Sequence, residues 1–380
     1  MMHVFSEGDR EGDAPSDHLV GRFDYLDASA RPEAARVRDL IEAWVEDYPE
    51  DHRPEMIRRL RSRSDGLHTS AFFELFLHAL LLRRGFAILA IEPVMPNGRA
   101  PDFLVEAPDG TRFYLEATLA TGMDDVAVGA DRRMRDALQA IDAVDSPDFF
   151  LHLHTRGKPG NQIAVKRLQR SVQRFVDGLD HAQALLDAEA ARPTALWQHD
   201  EHGAHFMIQP VPKNAPRPGG RAIGSRMIPA AIVQPNLAIR SAVAGKAGRY
   251  GQLDIPLVVA VNALEEFAGP QDAIDAMFGT VAVVVRENGD LVQRRNVDGA
   301  WRGRGGPVHT RSSALLVVER LSGWSVAQRT ARLIINPWAQ NPLSHIPLGV
   351  EISHVVDDRL VTEPGLSIRE LFEFPEGWPE

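Results

Sequence analysis

The chain contains no cysteine. That absence excludes disulfides, thiolate nucleophiles, zinc fingers and iron–sulfur clusters, so any metal must be held by oxygen or imidazole. It also suits a reducing compartment. Lysine is nearly as scarce: of 42 basic residues, only Lys158, Lys166, Lys213 and Lys246 are lysines. Any chemistry that needs an amine has four places to find one. Apolar runs such as "ALLL" and "PLVVAV" fall far short of a membrane span. The opening "MMHVFSEGDREGDAPSD" lacks the apolar core of a signal peptide. The expected location is cytoplasmic, with no membrane partner.

What is present is ordinary for a globular protein: 380 residues, 44% hydrophobic and 25% charged, with a net charge of −10. That length suits one large domain or two to three smaller ones. The acidic balance argues against a generic nucleic-acid coat but leaves room for a local basic groove.

The pattern of elements predicts an α/β protein with three parts. Residues 1–66 hold a mobile leader, to about residue 31, and N-terminal helices; "RPEAARVRDLIEAWVEDYP" carries Val37, Leu40, Ile41 and Trp44 on one stripe. Residues 67–265 form the α/β core with insertions. Thr69 or Ser70 caps "AFFELFLHALLLRRG", which is apolar nearly all round. A long helix is expected from about residue 163 to 190, and a mobile Pro/Gly/Arg-rich loop over 212–229. Residues 266–380 read as a β-rich extension ending in an acidic, peripheral tail from about Glu351.

The stretch "PDFLVEAPDGTRFYLEAT" predicts a hairpin, because "APDG" suits a type I turn followed by a left-handed glycine. With Ala107 facing Thr111, Asp102 faces Glu116, and Cβ atoms of such pairs lie roughly 4.5–5.5 Å apart. Like charges so placed repel, and a divalent cation removes the objection. Alternation sets Thr118 on the Glu116 side. The plainer reading makes Asp102 a strand-start residue and Glu116 a solvated edge residue. Just upstream, Glu74 is the lone acid of an apolar helix, with His78 one turn on. A buried glutamate without partners is rare, so either the helix keeps a narrow polar stripe or these two line a site.

Helix with Glu, strand, then a hairpin reading P-D…E-x resembles the PD-(D/E)xK, or restriction-endonuclease-like, nuclease superfamily over residues 70–118. The resemblance implies a mixed sheet flanked by helices and a metal-dependent nuclease that hydrolyses phosphodiesters of DNA, or RNA, with Mg²⁺- or Mn²⁺-activated water. It implies Asp102 and Glu116 as metal ligands and Glu74 as an auxiliary acid and ligand. The family's lysine is replaced by Thr118, which can contact water but brings no positive charge. Among the four lysines, Lys246, on the helix entering "IPLVVAV", is the preferred substitute. Lys213 lies in the Pro/Gly/Arg-rich loop, Lys158 in a turn and Lys166 on another basic helix, and Arg112 cannot act as a base.

Nucleic acid, DNA first, is the expected partner, and a homodimer is compatible. In "AVKRLQRSVQRFVDGL", Lys166, Arg170 and Arg174 form one stripe with Arg167 beside it, opposite an apolar stripe. Arg58, Arg59, Arg61 and Arg63 make a second basic cluster. Either could instead be a solvated helix face. His152 and His154 alternate on one strand without further ligands in sequence, and no nucleophile elbow, dinucleotide fingerprint or Walker motif is present. The alternative function is a catalytically inactive nuclease-fold module that binds nucleic acid or serves assembly.

Overall fold

The structure, a computed structural model, describes residues 3–10, 12, 20–121, 125–190, 192, 195–215, 222–227, 234–265, 268–285, 291–343 and 346–380. In chain order it begins with helices α1 (Arg22–Ala28), α2 (Pro32–Glu46), α3 (Arg53–Leu60) and α4 (Asp65–Arg83). Strands β1 (Ala87–Ile91), β2 (Phe103–Glu106) and β3 (Arg112–Ala120) follow. Next come α5 (Asp125–Asp142), β4 (Phe149–Arg156), α6 (Val165–Asp177), α7 (His181–Glu189), β5 (Trp197–Glu201), β6 (Ala204–Pro212) and β7 (Ile223–Met227). The chain continues with α8 (Pro235–Ala247), β8 (Leu257–Ala263), α9 (Pro270–Phe278), β9 (Val281–Val285) and β10 (Leu291–Arg295). The last elements are β11 (Arg302–Gly303), β12 (Gly306–Pro307), β13 (Ala314–Glu319), β14 (Ala331–Ile335), β15 (Glu351–Val356), β16 (Arg359–Glu363) and α10 (Ile368–Phe372).

The chain divides into two compact units, one of Met1–Gly122 with Val233–Glu380 and one of Met123–Ile232. The sequence-based boundaries at 66/67 and 265/266 do not follow this division. The reason is strand pairing: β8 lies in parallel between β3 and β13, which ties the C-terminal strands to the N-terminal hairpin.

The first unit is built on a mixed eight-stranded sheet of order β1-β2-β3-β8-β13-β14-β15-β16. Every residue of β8, "LVVAVNA", is buried, as a continuous apolar run between two parallel neighbours requires. Its one polar side chain, Asn262, is satisfied by both backbone groups of Leu321. The two faces of the sheet have different partners. Val258 and Ala260 pack with α2, α3 and α4, whereas Leu257, Val259 and Val261 pack with α8 and α9. This alternation decides which helix can reach which residue of β3.

Several sequence expectations need correction. Residues before α1 are not a free leader: Val4 and Phe5 are buried, their N–H groups bond Glu42, and Phe5 stacks on Phe23. Residues 13–19 lie outside the described residues. The C-terminal stretch is not peripheral either, because β15 joins the sheet and Ile368 and Leu371 enter the main core. Helix α4 starts a turn earlier than expected, behind Ser64.

The second unit holds a four-stranded sheet of order β5-β6-β4-β7. The long helix expected there breaks into α6 and α7, since Asp180 caps the latter by accepting from Gln183 N at 3.0 Å. Part of the loop expected over 212–229 is strand β7, paired in parallel with β4; residues 216–221 and 228–229 lie outside the described residues. No helix of the described residues is long and apolar enough to cross a membrane.

Candidate active site

The hairpin has the register its turn chemistry dictates. Phe103 faces Leu115 and Glu106 faces Arg112, with Gly110 at φ +84° closing the turn. Asp102 sits one residue before β2, its carbonyl accepting from Glu92 N at 2.9 Å. Its Oδ2 accepts from Ala117 N at 2.6 Å, which fixes the side chain against β3. Burial pushes its carboxyl well above the usual carboxylate range, and the charges of Glu116 and Glu74 push it further. The Ala117 N–H and Lys246 pull the other way without prevailing. Asp102 nevertheless keeps some accessible surface.

Phe113 and Leu115 belong to the α4 side of the sheet and Tyr114 to the α8 side, so Glu116 points toward α8. It is only 3% exposed. Lys246, in the last turn of α8, donates from Nζ to Glu116 Oε1, and Arg249 Nη1 stands 4.0 Å from the same oxygen. The second oxygen, Oε2, is buried with no hydrogen-bond partner. Tyr250 faces Glu116 too: burial, then the approach of its hydroxyl to that carboxylate and the carboxylate's charge, keep its phenol protonated, although the contact falls short of a well-formed hydrogen bond. Thr118, half-buried, lies two residues on along the same side of β3.

The amine that pairs with Glu116 comes from a separate element, α8. Lys246 follows Glu116 by 130 residues because the whole second unit is inserted between β3 and α8. Arg249 and Tyr250 escaped sequence reading, although they follow Lys246 closely, just beyond the end of α8.

Glu74 comes from the opposite side of the sheet. Tyr48 donates its hydroxyl to Oε1 at 3.0 Å and Arg59 Nη1 pairs with Oε2 at 2.7 Å. Burial raises its carboxyl, while the Arg59 charge and both hydrogen bonds oppose the rise. His78, one turn on, is 2% exposed, with its ring 4.6 Å from that of Tyr48. Its Nδ1 has no partner, and burial alone lowers its pKa to about 4. So Glu74 is close enough to act on Asp102 electrostatically, but both its oxygens are committed elsewhere. Among the described residues no three His, Asp or Glu side chains gather as a metal cluster. The donor set that fits a hard cation is smaller: the unpartnered Glu116 oxygen and Asp102, two carboxylates held against their mutual repulsion.

The second unit contains the basic stripe. Lys166, Arg170 and Arg174 are exposed on α6, with Leu168, Val172 and Val176 buried opposite. Arg167 instead pairs with Glu201 at 2.8 Å. Two other lysines are engaged in the same unit: Lys158 with Asp131 at 2.9 Å, and Lys213 with the Ser146 carbonyl at 2.7 Å. His152 and His154 put their rings 4.5 Å apart on β4. No family model, curated protein or solved structure matches the chain.

Proposed function

We propose that this chain is a metal-dependent phosphodiester hydrolase acting on nucleic acid, DNA first, with a restriction-endonuclease-like centre whose lysine is supplied by α8. The observation that carries the reading is the pairing of Lys246 with Glu116 while Glu116 Oε2, buried near Asp102, has no well-formed hydrogen bond and only the Tyr250 phenol at hand. A buried carboxylate oxygen without a partner is costly and rare, and a cation ligand accounts for it.

Asp102 and Glu116 would hold Mg²⁺ or Mn²⁺. When bound, such a cation supplies Lewis acidity to the phosphate and to the attacking water. The chain's own groups provide the rest. The Ala117 N–H fixes Asp102, so its carboxylate is pre-oriented. The Lys246 ammonium, positioned by Glu116, offers a positive charge where charge develops on a phosphate oxygen. Thr118, on the Glu116 side, offers a hydroxyl that orients water but cannot deprotonate it. Glu74 acts at one remove, as a fixed negative neighbour of Asp102.

The test is cleavage of labelled DNA and RNA with Mg²⁺ or Mn²⁺. The intact chain should cut at least one of them, and Asp102→Ala should abolish the activity while retaining a folded circular-dichroism spectrum. Equal cleavage by both proteins, or none by either under any metal, removes the reading. Tight nucleic-acid binding without turnover would favour an inactive binding module.

A further inference from the structure

We propose that a depression beside the Glu116–Lys246 pair, lined by Arg99, Gly245, Gly248 and Arg249, seats a non-scissile phosphate of a polynucleotide strand; the assignment builds on the hydrolase reading above. The depression has a volume of about 570 Å³ and opens to solvent. That is ample for a phosphate and its flanking sugars.

Its walls come from two segments joined to each other. Arg99 ends the turn between β1 and β2, where its carbonyl accepts from Met95 N at 2.7 Å. Asn97 Nδ2 in the same turn donates to the Arg249 carbonyl at 3.0 Å, which ties the turn to the end of α8. Both guanidinium groups are exposed, and no carboxylate lines the depression. The nearest one is Glu116, 4.0 Å from Arg249 Nη1, so the basin adjoins the acid pair. In a chain of net charge −10, two exposed guanidiniums lining one depression with no carboxylate in its walls form a local anion site. Guanidinium groups also match phosphate in a bidentate geometry.

The glycines supply an independent argument. Gly245 lies in the last turn of α8, Gly248 is its C-cap and Arg249 follows just beyond the helix end, and all three line the depression. A Cβ added at either position would meet nothing within 4 Å, and neither has a positive φ. Gly245 lies inside the helix, where alanine is the better helix former. Glycine at Gly248 suits a helix end, but nothing among the described residues requires it at Gly245. An outside group that approaches the helix backbone closely does.

Binding separates this assignment from catalysis. Labelled single- and double-stranded DNA and RNA oligonucleotides would be titrated in EDTA across a salt series, using fluorescence anisotropy. Arg99→Ala/Arg249→Ala should bind more weakly, with a salt slope shallower by about two, roughly one per lost phosphate contact. Gly245→Ala should melt at a higher temperature yet bind more weakly, an opposition that a purely structural glycine does not produce. Unchanged affinity and slope in the arginine variant overturn the assignment, as does failure of the intact chain to bind any oligonucleotide. Arginine-dependent binding without cleavage keeps the phosphate seat and removes the hydrolase reading. Cleavage whose KM and salt dependence ignore both arginines does the reverse.

Discussion

Two buried acids lie on opposite sides of one sheet, and each has a cation from another helix, α3 for Glu74 and α8 for Glu116. Glu74 is finished: Tyr48 and Arg59 between them take both its oxygens. Glu116 is not, for Lys246 takes one oxygen and the other meets only the Tyr250 phenol, without a well-formed hydrogen bond. The difference teaches how to separate a structural ion pair from a site. A closed polar network rigidifies the fold, whereas an open one keeps a group ready for something the chain does not contain. Asp102 stands between the two and carries the electrostatic strain of both.

The comparison can be broken from its closed side first. Arg59→Met leaves Glu74 buried without its charge partner and should cost about 3–5 kcal/mol of stability. Urea denaturation measures it, and Mn²⁺ should restore none of the loss. Lys246→Met is the matched change on the open side. There Mn²⁺ should recover stability, because the bare carboxylate pair accepts the cation, while kcat for nucleic-acid cleavage falls on the order of 10²- to 10³-fold. Equal behaviour of the two variants toward Mn²⁺ would erase the distinction.

His78 sharpens it through pH. Its imidazole has an ordinary value of 6.5 and is lowered to about 4 by burial, so the folded protein holds it neutral. The unfolded chain binds the proton as pH falls through 6.5, and the folded chain follows only near 4. Stability is therefore present above 6.5 and lost progressively down to about 4, by about 3 kcal/mol from this group. Replacing His78 with Phe should flatten that part of the pH–stability curve. The smallest effect is expected at Asp102. Asp102→Asn removes a like-charge neighbour of Glu116 and should raise stability in EDTA by about 1 kcal/mol, while Mn²⁺ no longer stabilises the variant. Calorimetry in the two buffers reads both arms.

The hairpin was legible in the sequence because local rules govern it. The "APDG" turn fixes register, and that register brings Asp102 to β3, where its side chain accepts from Ala117 N. Lys246 could be singled out because only four lysines exist. What stayed hidden was non-local. Arg59 looked like one of a run of surface arginines, and nothing in its neighbourhood announces that it reaches Glu74. Tyr48 closes a helix that reads as amphipathic and complete without it. The C-terminal strands read as an extension since their patterning says they are buried but not against which strand. That information lies in β8, which pairs with β3 on one side and β13 on the other.

The inserted second unit sets a timetable. Translation at roughly 5–20 residues per second separates Asp102 and Glu116 from Lys246 by on the order of ten seconds. Through that interval the nascent hairpin has its acids but neither the ammonium nor the adjoining arginine of α8. On the reading proposed here, the centre stays incomplete until the late helix docks.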